Sequence, residues 1–150
     1  MFKRLIINSD LQKLQFLANK IAKIAKVGDV ILLYGELGVG KTTFARFFIN
    51  SIFKKYSLKQ PNNIRSPSFP IMINYPLIDF EIFHYDLYRL KNNNDLIELN
   101  IEENLRKNIT LIEWPEIFFE TIKFQKYYSV NLKVINSKQR HVDIFYKKIK

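Results

Sequence analysis

Leu14, Leu17, Ala18, Ile21, Ala22 and Ala25 recur at the three- and four-residue spacing of a helix face, with polar and charged residues between them. Ahead of them, Ser9-Asp10-Leu11-Gln12 has the Ser-x-x-Gln form of a capping box, so the pattern predicts a helix over about residues 10–26. Gly28 supplies a left-handed stop. The periodicity then vanishes. Residues 30–34, Val-Ile-Leu-Leu-Tyr, form an unbroken apolar run, as expected of a central parallel strand covered on both faces. A glycine-rich segment separates it from a second predicted helix, 43–56, whose apolar side carries Phe44, Phe47, Phe48 and Ile52. Prolines at 61, 67 and 70 mark an irregular loop, and residues 71–75 and 80–85 read as an antiparallel hairpin turning at 76–79. Short helical pieces over about 95–107 precede a buried strand at 109–112, which Trp114-Pro115 ends. Tyr128, Val130, Leu132 and Val134 alternate with polar neighbours, as do Val142, Ile144 and Tyr146 after a turn at 136–139, giving a second hairpin with one face on the core. With no internal repeat, linker or low-complexity block, one mixed α/β domain over residues 1–150 is expected.

Composition narrows the chemistry. The chain has no cysteine, which excludes disulfides, thiolate metal sites and cysteine nucleophiles, and its two histidines, His84 and His141, are too far apart in sequence to suggest a His-rich metal site. The formal charge of +10 invites a nucleic-acid reading. It is unevenly spread: +8 over residues 1–60, −5 over 61–120 and +7 over 121–150. Abundant Lys, Ile, Asn, Phe and Tyr beside scarce Gly also fit a preference for A/T-rich codons, a second source of the same excess. Residues 1–7 show neither a long apolar stretch nor a small-residue cleavage site, and no early apolar run approaches the roughly 20 residues of a membrane span. A cytoplasmic protein without a membrane partner is expected.

Gly35-Glu36-Leu37-Gly38-Val39-Gly40-Lys41-Thr42 matches G-x-x-x-x-G-K-[ST], the P-loop, and it stands where such a loop must, between a buried strand and a helix. Glycines let backbone N–H groups converge on phosphates, the helix directs its positive end at them, Lys41 neutralises charge and the Thr42 hydroxyl can ligate Mg²⁺. Hydrolysis needs more: a carboxylate at a neighbouring strand end to hold the metal or its waters, and a group to orient the attacking water. Asp86 ends Ile82-Phe83-His84-Tyr85-Asp86 and Glu113 ends Ile109-Thr110-Leu111-Ile112-Glu113. Either alone reads as a solvated strand-end acid. Two of them behind a P-loop favour the metal-side role.

Together with Ser66-Pro67-Ser68-Phe69, His84-Tyr85-Asp86-Leu87-Tyr88-Arg89-Leu90 and Leu111-Ile112-Glu113-Trp114-Pro115-Glu116, this P-loop makes the chain resemble the TsaE (YjeE) family, small P-loop ATPases of tRNA threonylcarbamoyladenosine synthesis. The resemblance covers nearly the whole chain. It implies a P-loop NTPase-like mixed β-sheet flanked by helices, with antiparallel hairpins. It also implies ATP/ADP and Mg²⁺ as ligands, TsaD and TsaB as partner proteins, and tRNA reached through that complex. On this reading Glu36, Leu37, Gly38, Val39, Gly40, Lys41, Thr42, Thr43 and Trp114 contact the nucleotide, residues 66–69 form a switch-like loop, and Thr42, Glu113 and Asp86 serve the metal. Ser68 stands where the family has Thr, and Glu36 and Val39 replace the commoner Asp and Ala.

Lys41, Asp86 and Glu113 are the expected catalytic residues. Glu113 is assigned as the principal Mg²⁺-side carboxylate and Asp86 as the second acid, an assignment open to exchange. His84 and Arg89 are read as structural support, with an arginine finger as the sharper reading of Arg89. Trp114 either borders the nucleotide or caps the core, and Tyr85 and Tyr88 are read as packing residues. Two other function classes stand beside the ATPase. A small nucleotide or nucleoside kinase is disfavoured because the six arginines, at 4, 46, 65, 89, 106 and 140, form no lid-like cluster. A tRNA-binding module with ATP as a structural ligand would use the basic terminal segments.

Overall fold

The computed structural model describes residues 4–116, 121 and 125–149. Among them, β1 (Arg4–Ser9), β2 (Val30–Tyr34), β3 (Met72–Pro76), β4 (Glu81–Asp86), β5 (Ile109–Glu113), β6 (Lys126–Val134) and β7 (Arg140–Lys148) form one sheet in the order β1-β7-β6-β2-β5-β4-β3. β6, β2, β5 and β4 run parallel, and antiparallel partners close each side. Helices α1 (Leu11–Ile24) and α2 (Lys41–Lys55) cover one face, while α3 (Asn93–Glu98) and α4 (Ile101–Lys107) contribute to the core on the other.

The unbroken apolar run at β2 follows from this layering. Ile31 and Leu33 join the layer of Leu17, Ile21, Phe44 and Phe48, whereas Val30 and Leu32 pack with Leu96, Ile101 and Leu105. Val30 to Leu33 are therefore covered on both faces, and only Tyr34, at the strand end, stays half-buried. Both predicted hairpins form, as β3–β4 and β6–β7.

Two features depart from the sequence pattern. The N-terminal residues form an unforeseen edge strand, β1, paired antiparallel with β7 from Arg4↔Phe145 to Ser9↔Arg140. That pairing holds Ser9 in the sheet and shifts the helix cap by one residue. Asp10, not Ser9, caps α1, its carboxylate accepting the Lys13 N–H at 2.8 Å, while the Ser9 hydroxyl donates to the Asp10 carbonyl. The second helix begins at Lys41, two residues earlier than its apolar face indicated, because Gly40 at φ 121° turns directly into it.

The site is positioned by strand register. Leu33 and Asp86 each pair with Glu113 across β5, so three parallel strands end level at one edge, where the loop into α2 begins. Ligands of open α/β sheets bind outside such carboxyl ends.

Candidate nucleotide site

The loop between β2 and α2 is built on glycine. At Gly35, with φ 141°, a Cβ would lie 2.6 Å from the Leu132 carbonyl oxygen and 2.7 Å from a Val39 methyl group, so no side chain fits. Gly40 precedes α2 without a side-chain cap, leaving the first-turn N–H groups available to an anion. Lys41 is 4% exposed. Its ammonium donates to the carbonyls of Gly35 (2.6 Å) and Glu36 (2.9 Å) and lies 4.1 Å from the centroid of the Trp114 ring. Burial pulls the Lys41 pKa below its ordinary value, against the opposing pull of Glu113, Asp86 and Glu116.

The two strand-end acids stand on the α1/α2 face, because alternation along β4 puts Asp86 and His84 on the side of Ile82, and along β5 puts Glu113 on the side of Ile109 and Leu111. Thr42 donates its hydroxyl to Glu113, 2.9 Å from Oε1 and 3.1 Å from Oε2. His84 Nε2 meets the same Oε1 at 2.8 Å. Asp86 accepts the Ser66 hydroxyl on one oxygen and the Tyr88 backbone N–H, at 3.0 Å, on the other. A cavity of about 290 Å³ unites Leu37, Gly38, Gly40, Lys41, Thr42, Thr43, Asp86, Glu113 and Trp114.

Two residues expected at the nucleotide stand apart from this cavity. Glu36 is exposed and lends only its carbonyl to Lys41, and Val39 is buried and lines a neighbouring cavity instead. Tyr88, read as a packing residue, is 56% exposed; it lines the first cavity with its ring 4.8 Å from Trp114. Ser66 and Ser68, from the segment expected to form a switch-like loop, both line it. Arg89 is exposed, with its guanidinium 5.6 Å over the Phe69 ring, and does not line the cavity.

The neighbouring cavity, about 680 Å³, has no signature in the local sequence. Ser9, Asp10, Leu11 and Gln12 form one wall, Ser137, Lys138 and Arg140 another, and Gly38, Gly40 and Thr43 are shared with the first cavity. Arg140 Nε donates to the Val39 carbonyl at 2.7 Å, tying the β6–β7 turn to the glycine loop. No local motif signals this arrangement, since its walls meet only through the pairing of β1 with β7.

The donor set suits Mg²⁺. Among the described residues no cluster of three or more His, Asp and Glu side chains could hold a metal unaided. Mg²⁺ needs no such cage; it keeps several waters and binds through one or two carboxylates plus substrate phosphates. The Thr42 oxygen retains acceptor capacity while its proton points at Glu113, so one hydroxyl can serve metal and carboxylate together.

A family profile described as "Threonylcarbamoyl adenosine biosynthesis protein TsaE" matches residues 8–142. The chain belongs to the TsaE family. Relatives named "tRNA threonylcarbamoyladenosine biosynthesis protein TsaE" include one from Rickettsia bellii, 39% identical over 139 residues that span 93% of this chain and 92% of the relative. Another from Rickettsia felis is 39% identical, covering 91% and 75%, and one from Aquifex aeolicus is 32% identical, covering 77% and 79%. The crystal structure of YdiB from Bacillus subtilis superimposes with a TM-score of 0.69 over 99% of this chain and 88% of that one; at 23% identity it shows the shared P-loop NTPase-like fold. The family and these relatives are named for tRNA threonylcarbamoyladenosine biosynthesis.

Proposed function

We propose that this TsaE protein is a Mg²⁺-dependent ATPase, weak alone, that supports the TsaD and TsaB proteins in forming N6-threonylcarbamoyladenosine in tRNA, in the cytoplasm. The observation that carries the reading is the meeting of Lys41, Thr42, Glu113 and Asp86 around one cavity behind a P-loop. No helix among the described residues is long and apolar enough to cross a membrane.

Phosphates would lie on the loop N–H groups at the start of α2, and the Lys41 ammonium, held by two loop carbonyls and the Trp114 face, would turn to the β- and γ-phosphates. Thr42 and Glu113 would hold the metal shell; Mg²⁺, when bound with the nucleotide, offsets phosphate charge as the terminal bond breaks. Asp86, fixed by Ser66 and the Tyr88 N–H, would orient the attacking water or the metal's own waters. The shared wall of Gly38, Gly40 and Thr43 leads from the acids into the larger cavity, which has room for the nucleoside.

Titration calorimetry with ATP or ADP, with and without Mg²⁺, tests the site. The wild type should bind. Lys41→Ala should lose affinity, while Asp86→Ala should retain binding within a few-fold and lose turnover by at least about 100-fold. Absence of nucleotide binding by the intact chain would end the reading, and full turnover by Asp86→Ala would remove its role.

A further inference from the structure

The imidazole of His84 is fully buried in β4, between Ile82 and Asp86 on the same face of the strand and beside Leu111 of β5. Its Nε2 lies 2.8 Å from Glu113 Oε1, and its Nδ1 is buried without a hydrogen-bond partner among the described residues. Burying a polar ring is costly where it is not hydrogen-bonded. A ring placed there for packing alone would be served better by an apolar residue. The single side-chain bond that His84 makes among the described residues is therefore the clue to its presence, and the orphaned Nδ1 favours placing the donated N–H on Nε2, since a lone pair is then left at Nδ1 in place of a stranded N–H.

Glu113 needs such a partner. The Thr42 hydroxyl straddles its carboxylate, at 2.9 and 3.1 Å from the two oxygens, so that contact barely distinguishes one oxygen from the other. The terminal torsion of a glutamate is broad and nearly two-fold. His84 grips Oε1 alone and removes that freedom. We propose that His84 is the positioning residue of Glu113: a buried imidazole whose Nε2–H sets the carboxylate plane and leaves Oε2 for the metal's water shell. This rests on the reading of Glu113 as the metal-side acid. Hydrogen-bond partners of metal-side ligands are worth about 10–100-fold in metal affinity or activity, so loss of His84 should act on the Mg²⁺-dependent steps and spare Mg²⁺-free nucleotide affinity.

The test uses the intact chain and three variants, each checked by thermal melting. In ¹H–¹⁵N correlation spectra the two imidazoles are told apart by comparison with His84→Leu. His84 should show the Nε2–H tautomer, and its signal should move in Glu113→Ala while that of His141 stays. His84→Leu should weaken Mg²⁺-dependent ADP binding about 10-fold or more with Mg²⁺-free affinity unchanged, and His84→Gln, whose amide can donate from a similar reach, should restore part of the loss. An Nδ1–H tautomer, a His84 signal indifferent to Glu113→Ala, or a folded His84→Leu with wild-type Mg²⁺ dependence would each overturn the proposal. The imidazole spectrum requires neither ATP nor turnover. A chain that hydrolyses nothing yet shows the expected spectrum would refute the ATPase and leave the His84–Glu113 coupling standing.

Discussion

Lys41 holds a charge in a nearly buried place on the cavity wall, with two carbonyls and an indole face as partial replacements for hydration. Because burial lowers its pKa below the ordinary 10.5, the folded chain holds this proton less tightly than the unfolded chain. The resulting cost to stability is complete below the lowered pKa and fades as pH rises toward 10.5. In the nucleotide-free protein Lys41→Met should therefore raise stability at pH 7, by about 0.5–2 kcal/mol as is common for relief of strain at functional sites, with the gain shrinking in alkaline buffer. Melting curves across pH check it, and a destabilised Lys41→Met at pH 7 would contradict it. Trp114 adds a second strained feature. It is a non-glycine residue at φ 58°, a conformation that L side chains rarely adopt and that clusters at functional sites.

At the scale of elements, the cap of α1 separates two readings of the same four residues. Asp10→Ala should cost about 1 kcal/mol, or roughly 2–4 °C in melting temperature for a domain of this size. Gln12→Ala should change stability by less than about 0.5 kcal/mol, because the observed cap uses the Asp10 carboxylate and the Lys13 N–H. Equal losses from both variants would restore the Ser9 capping box. The features legible in the sequence were local ones: the apolar run of β2, the glycine loop, both hairpins, and the acids ending β4 and β5. β1 was not, because Ile6, 54% exposed, puts an apolar residue at a solvent position and hides the alternation of Leu5, Ile7 and Ser9. What holds β1 is remote, including the Arg4–Asp143 ion pair at 2.8 Å, which draws the Asp143 pKa below its ordinary value. The larger cavity has no local signature for the same reason, since Asp10 and Arg140 become neighbours only when β1 adds to β7.

For the whole molecule, the +10 charge suggested a nucleic-acid binder, yet the acids of the site lie in the segment whose net charge is −5. The sheet gathers those acids at one edge, beside a lysine that the P-loop supplies. On the proposed function the chain turns over nucleotide and the tRNA chemistry belongs to its partners. The most direct measurement of the central claim is ATP hydrolysis with Mg²⁺ by the wild type, Lys41→Ala and Glu113→Ala, each alone and then with TsaD, TsaB and tRNA added separately. Slow wild-type turnover that rises with the partners, and none in either variant under any condition, is the expected result. Normal hydrolysis by Glu113→Ala would contradict the assignment of the site.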